Sequence, residues 1–409
     1  MFANKELLCK EKGGNSKIIT NKINNYKMSF IIDERKEILY NRIVKISNDA
    51  IKEVIRMEKN ISVIFTGGTI CTTINNGVMD TGEAAPLALI EFFKALNPQL
   101  SETVHLKPEK NFGILSENMT AEKWNEIAGY FAENIERFQE CDGIIVAHGT
   151  DTLAYTTSLF SVLLKGFKIP VIFVSSNRPI MLEDKSINPD ANGIENFAAA
   201  VECICSGLGP GIYATYKNPE DGRMYLHNGG HLIQCAIYDE NFYSRDAVDI
   251  TDDKKVDKLC LYKACDTEKC LLMNLKEKKL EDCILKINPY VGLNYDMFNL
   301  DGVRAVLHGT YHSGTACTAV TEKNKEKTSI LYFFEKCAEK NIPFFYSPSL
   351  VEAGTAVYAG VPCIEHYVSN NQKIKILYGD TDELVYAKLM VAFSFDMPQE
   401  QLKQPLNYI

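Results

Sequence analysis

The sequence predicts an α/β protein with two domains, each built on a mainly parallel sheet flanked by helices, the larger domain first. Three observations predict it. Short apolar runs of strand length end in glycine-containing polar turns. Segments with helical spacing of apolar residues lie between those runs. A strongly charged stretch, Asp266–Asp282, separates a longer alternating pattern from a shorter one. At 409 residues the chain has the length of two or three domains. Its 46% apolar and 24% charged residues suit a protein that buries a large core, and exclude disorder, collagen and coiled coil for the whole chain.

Residues 1–28 are rich in Lys and Asn and carry no periodic apolar pattern, so a mobile tail is expected there, with Met28 an alternative start. From Asp33 to Glu58, Ile38, Leu39, Ile43, Ile46, Ile51, Val54 and Ile55 recur at helical spacing. One or two amphipathic helices are expected, making residues 1–60 a helical N-terminal extension. The first domain, 61–270, opens with the buried strand Ile61–Phe65 and its turn Thr66-Gly67-Gly68-Thr69. Helices follow at Leu87–Leu96 and Ala121–Phe138, the second capped by Thr120. The strand Gly143–Ala147 ends in His148-Gly149-Thr150-Asp151-Thr152, and the helix Leu153–Leu164 follows. Lys168–Ser175 reads as a third strand and Ile194–Cys205 as a further helix. The second domain, 283–409, contains strands at Cys283–Ile287, Ala305–His308 and Pro343–Tyr346, with helices at Ser329–Lys340 and Asp382–Phe393.

The formal charge is −9, which argues against a global nucleic-acid footprint. It is uneven: 13 basic against 8 acidic residues leave +5 on Met1–Asn60, so the remainder carries −14. No apolar run approaches the ~18 residues of a bilayer span, so no membrane partner is expected. No apolar segment follows the early lysines as in a secretory signal. Thirteen scattered cysteines, an odd number, read as reduced thiols in a cytoplasmic protein. The run Cys260, Cys265, Cys270 is too widely spaced for a typical zinc knuckle, so no metal is expected.

The two glycine turns carry the chemistry. In an open α/β sheet, ligands bind beyond the carboxyl ends of the strands. Gly68 and Gly149 let the backbone approach a ligand and aim N–H groups at it. Thr69 and Thr150 offer hydroxyls, and Asp151 a carboxylate. That set contains a nucleophile, an orienting charge and oxyanion donors. A plain chain bend or a phosphate cradle is the competing reading of each turn alone. No Gly-x-Gly-x-x-Gly or Walker sequence supports nucleotide binding.

From about Ile61 to the C-terminus the chain resembles the bacterial-type L-asparaginase/glutaminase family. The resemblance is strong through Ala200 and thin beyond, and residues 1–60 lie outside it. Thr66–Ile70 is similar to the family's first threonine signature and His148–Thr152 to its second. Leu115-Ser116-Glu117-Asn118-Met119 resembles its substrate loop, and Arg178-Pro179 and Asn196 also fit. The resemblance implies that Thr69 is the acyl-accepting nucleophile and Thr150 the second catalytic threonine. It implies that Asp151 holds the substrate α-amino group and Ser116 the α-carboxylate, with Glu117 adjacent. The implied reaction is hydrolysis of a small amino-acid amide, asparagine ahead of glutamine, without metal or organic cofactor. A homodimer or homotetramer is implied too.

Two departures stand out. The family's catalytic lysine precedes a Phe-x-Ser landmark by about nine residues. Here Phe242-Tyr243-Ser244 supplies the landmark, and counting back reaches Ile233 or Gln234. His227 and His231 are candidate substitutes as proton carriers, each also readable as an ordinary loop histidine. The family's lid tyrosine is replaced in the region of Val78 and Met79. His148 is expected to support its turn by a hydrogen bond. His312 and Ser313 are read either as a structural turn or as residues reaching a neighbouring protomer's site. Glu183, Asp184, Lys185 and Asp190 are expected in a solvated loop, from which Lys185 could stray toward the pocket. An impaired, amino-acid-binding sensor is the alternative function. A component of an amidotransferase acting on aminoacylated RNA is a third, opposed by the acidic body and by a helical extension.

Overall fold

Apolar residues alternate between two helical layers along the strands that follow Glu58, and this places a parallel sheet between them. The computed structural model describes residues 8–12, 16–23, 26–33, 58–75, 78–80, 84–251, 270–320, 326–349, 364–366, 369–370 and 373–397. Residues 1–58 form one compact unit and 59–409 another.

In the first unit, β1 (Leu8–Lys12), β2 (Ser16–Ile23) and β3 (Tyr26–Asp33) make an antiparallel three-stranded sheet. This corrects the expectation of an unstructured tail. The segment's polar residues do not prevent strand formation, because each strand satisfies its backbone on a neighbour only a few residues away. The amphipathic helix expected after Asp33 lies outside the described residues.

The second unit opens with β4 (Lys59–Gly67), which leads to the hairpin β5 (Thr73–Asn75) and β6 (Val78–Asp80). Next come β7 (Val104–Ile114), β8 (Gly143–Ala147), β9 (Pro170–Val174), β10 (Gly211–Lys217) and β11 (Met224–Asn228). A short hairpin, β12 (Leu232–Ile233) and β13 (Tyr243–Ser244), precedes β14 (Val248–Asp249). The large sheet has the order β14-β11-β10-β9-β8-β4-β7, parallel from β10 to β7 and antiparallel at β11 and β14. The smaller sheet, β15 (Ile284–Ile287), β16 (Ala305–His308), β17 (Phe344–Ser349) and β18 (Ile374–Tyr378), is parallel throughout. The fold is thus α/β with a large parallel-rich sheet and a smaller second one.

One face of the large sheet presents Ile64, Ile144, Val146 and Phe173 to α2 (Ala121–Glu133) and α3 (Leu153–Leu163). The other presents Val63, Phe65, Ile145 and Val174 to α1 (Ala84–Leu96) and α4 (Gly193–Cys205). Period-two alternation in strands covered on both faces explains why these strands read as unbroken apolar runs. The helix expected over Ala121–Phe138 breaks at Asn134, whose Nδ2 donates to Tyr130 O at 2.9 Å. Its cap is as expected, with Thr120 Oγ1 accepting from Lys123 N at 3.4 Å. In the smaller lobe α5 (Ile330–Glu339) covers one face of the sheet. The last described helix, α6 (Asp382–Ser394), joins the two lobes. Leu384, Met390 and Val391 pack into the core of α2 and α3, while Val385 and Leu389 pack on Ala305, Leu307 and Phe345. It is buried on nearly every side, as its lack of a polar stripe requires. No described helix is long and apolar enough to cross a membrane.

Candidate active site

The sheet order puts a crevice where the two threonine turns are. After β4 the chain runs into α1 on one face of the sheet, and after β8 it runs into α3 on the other. Adjacent parallel strands whose connections leave to opposite faces define a topological switch point, and the opening lies beyond their carboxyl ends. Thr69 and Thr150 stand there, each opening a single turn of 3-10 helix, Thr69–Cys71 and Thr150–Thr152.

The turns touch through their glycines. Gly68 has φ 76° and ψ −176°, a conformation essentially reserved for glycine. A Cβ there would lie 2.1 Å from Gly149 Cα and 2.4 Å from Gly149 N. The first turn is also tied to β7, since Gly68 N donates to Ile114 O at 3.0 Å. Beyond β7 a third short turn, Ser116–Asn118, closes the group. Ser116 Oγ donates to Asp151 Oδ2 at 3.1 Å, and Thr152 Oγ1 donates to Ser116 O at 3.0 Å. Gly149 must be glycine for the same reason: a Cβ would sit 2.3 Å from Ser116 Oγ. Ser116 is buried, Thr69 and Thr150 are half-buried, and Asp151 and Glu117 are exposed. The structure therefore gathers Gly68, Gly149, Ser116 and Asp151 directly. It places Thr69 and Thr150 each one residue beyond the touching glycines, and Glu117 beside Ser116.

Supporting groups hold these turns. Thr66 Oγ1 donates to Ala147 O at 3.0 Å, and Thr72 Oγ1 donates to Thr69 O at 3.1 Å. His148 is fully buried, its Nδ1 2.7 Å from Gly149 O. Burial pulls its pKa down to about 4, so it is neutral at pH 7 and its Nδ1–H steadies the turn, the role expected from the sequence. Asn196 donates to Ser175 O and accepts from Lys217 N at 2.7 Å, locking α4 onto β10.

The residue that reaches the second turn from the lysine region is Gln234. Its Nε2 donates to Thr150 O at 2.8 Å and its Oε1 accepts from Ala154 N at 3.2 Å. Counting back from the Phe-x-Ser landmark reaches Ile233 or Gln234, and no local signal shows what the Gln234 amide holds. The candidate proton carriers have other partners: His227 Nδ1 lies 2.9 Å from Ser244 Oγ, and His231 Nδ1 lies 2.9 Å from Asp246 Oδ2. The Tyr311–Thr315 segment closes on itself, with Tyr311 N donating to Thr315 O at 2.9 Å and Ser313 Oγ 2.9 Å from Thr315 Oγ1. Glu183, Asp184, Lys185 and Asp190 are exposed. Val78 and Met79 lie in β6, paired with Asn75 and Ile74. Of the three spaced cysteines, Cys260 and Cys265 fall outside the described residues, and Cys270 Sγ donates to Leu163 O at 3.1 Å.

A two-lobed α/β protein with threonine turns at the switch point of its larger sheet has the architecture of an L-asparaginase. The thermostable L-asparaginase of Thermococcus kodakarensis superposes with a TM-score of 0.63, at 20% identity, over 86% of this chain and 97% of that one. L-asparaginase I of Vibrio cholerae does so with 0.60, at 20% identity, over 86% and 98%. At such identities the likeness is one of fold. Residues 60–227 match the family described as Asparaginase, N-terminal, so this stretch carries an asparaginase-family domain. Among similar sequences is a glutamyl-tRNA(Gln) amidotransferase subunit of Thermoplasma acidophilum. It is 31% identical over 227 residues, 54% of this chain and 51% of that protein. The counterpart from Methanosphaera stadtmanae is 29% identical over 178 residues, 44% and 38%. The match thus spans about half or less of these relatives' length.

Proposed function

We propose that the chain is an asparaginase-type amidohydrolase that splits the side-chain amide of L-asparagine or a related small amide into the acid and ammonia. The meeting of Gly68 and Gly149, with Ser116 hydrogen-bonded to Asp151 beside them, carries this reading. Ser116 holds the substrate α-carboxylate, with Glu117 alongside, and Asp151 holds the α-ammonium. Thr69 Oγ attacks the carboxamide carbon, its proton passing to the departing nitrogen, which leaves as ammonia. Backbone N–H groups of the two turns and the N-terminus of α3 steady the oxyanion. Water then cleaves the threonine ester and returns the proton to Oγ. Thr150 orients the attacking groups. The reading includes a homo-oligomeric, cytoplasmic protein that needs no cofactor.

Ammonia release from asparagine, glutamine and simpler amides tests it, run on the parent protein beside Thr69→Ala and Thr150→Val. Turnover lost in both variants supports the reading. Gln234 in place of a lysine favours a second one, an amino-acid sensor without turnover. Aspartate that raises the melting temperature while no amide is hydrolysed would establish that sensor instead. The amidotransferase relatives favour glutamine as the amide, with ammonia passed to a partner protein. Glutamine turnover far above asparagine turnover would select that version.

A further inference from the structure

We infer that Gln234 and Glu383 form a clasp by which the first turn of α6 positions the Thr150 turn for catalysis. The inference deepens the amide-hydrolysis reading and rests on it for its kinetic consequence. Gln234 uses both ends of its amide. Nε2 donates to Thr150 O at 2.8 Å and Oε1 accepts from Ala154 N at 3.2 Å. It therefore spans the step from the short Thr150–Thr152 turn into α3 and occupies one of the N–H groups that a helix start leaves unpaired. Donor and acceptor are both needed, which a lysine cannot supply.

Gln234 is itself held from the other lobe. Its backbone N–H donates to Glu383 Oε1 at 3.0 Å, across 149 residues of chain. Glu383 is 6% exposed and lies in the first turn of α6, whose N-cap is Thr381. A second strut runs parallel to the first. Asp382 Oδ2 pairs with Lys286 Nζ at 3.1 Å, and Lys286 Nζ donates to Tyr155 OH at 2.9 Å, one residue beyond Ala154. Two adjacent carboxylates of one helix turn thus grip the start of α3, one through Gln234 and one through Lys286. A buried carboxylate spent on backbone N–H groups is costly as packing alone. Its position is explained if the smaller lobe sets where Thr150 stands relative to Thr69.

The clasp acts through the turn and touches no substrate, so these are positioning residues. Two readouts test it on the full chain. The first is hydrogen exchange of the peptide spanning Thr150–Thr156. Gln234→Ala and Gln234→Lys both lack the acceptor and should speed exchange at Ala154 about tenfold, the worth of one hydrogen bond. Glu383→Ala should do the same, and Glu383→Gln, which keeps an oxygen facing the Gln234 N–H, should restore the parent rate. The second readout is kinetic. Gln234→Ala and Glu383→Ala should lower kcat about ten- to hundredfold, the cost of a displacement near 1 Å. KM should move less than about threefold, and Glu383→Gln should rescue kcat. Unchanged exchange at Ala154 in Gln234→Ala overturns the clasp. So does loss of kcat in Glu383→Gln equal to that in Glu383→Ala. If the parent protein hydrolyses no amide, the proposed function fails while the exchange result still judges the clasp.

Discussion

Replacing Gly68 with alanine puts the contact between the two threonine turns under direct load. The added Cβ would fall 2.1 Å from Gly149 Cα and 2.4 Å from Gly149 N, so it meets backbone that cannot rotate away. Two costs add. Holding alanine at φ 76° and ψ −176° costs on the order of 1–3 kcal/mol. Forcing a methyl between packed backbones costs roughly 1–3 kcal/mol more. The sum, about 2–6 kcal/mol, is a large share of the ~5–15 kcal/mol that holds a domain together. For a unit of this size it corresponds to a fall in Tm of roughly 3–8 °C. Activity should suffer further, because a shift near 1 Å between Thr69 and Thr150 costs about a hundredfold in rate. The control is Gly129→Ala in α2, where the new Cβ has nothing within 4 Å. That change should raise stability by about 1 kcal/mol through helix propensity. Calorimetry and ammonia release on both variants make the comparison. A Gly68→Ala protein with parental Tm and rate would refute the claim that the turns abut.

Other outcomes follow from the same geometry. Ser116→Ala removes the hydroxyl that bonds Asp151, and Asp151→Asn removes the charge. Each should weaken L-aspartate binding about ten- to hundredfold in a calorimetric titration, the worth of a hydrogen bond to an ionised group. Burial raises the pKa of the Glu383 carboxyl above its unfolded value of 4.5. Its contribution to stability is therefore full below about pH 4.5 and is lost as pH climbs through the higher folded value. Glu383→Gln should accordingly gain Tm relative to the parent as pH is raised from 5 to 8, and an unchanged difference would contradict the assignment. Burial depresses His148, His227 and His308 from 6.5 to about 4. For a depressed histidine the unfolded chain takes the proton first, so stability should fall steadily from pH 6.5 towards pH 4. A flat Tm profile across that window would show that these rings are not held neutral.

The central strands are legible in the sequence because both of their faces are covered: β4, β8 and β9 are apolar through their cores, and the ends of β4 and β8 are marked by glycine turns. The edge strand β7 is not. Its only fully buried residues are Val104 and Ile114 at its two ends, and between them Lys107, Pro108 and Lys110 read as loop. It is a strand because β4 offers it a ladder, which no local pattern records. The edge strand β18 escapes the sequence for the same reason, its Lys375 breaking the apolar run beside β17. The strands of the first unit escape it because charge and asparagine content resemble a tail. At the site, the glycines and threonines are readable as turns with chemical capacity. The bonds that assemble them are not, since Ser116 meets Asp151 across 35 residues and Gln234 meets the Thr150 turn across 84. A glutamine in a short segment says nothing locally about a carbonyl it will hold.

Soaking crystals of the protein with L-aspartate, the product of the proposed reaction, bears on the whole account at once. The account predicts the α-carboxylate on Ser116 Oγ, the ammonium on Asp151 and the side-chain carboxyl facing Thr69, in the crevice where Gly68 meets Gly149. Aspartate bound elsewhere, or a crevice that stays empty under saturating ligand, would contradict it.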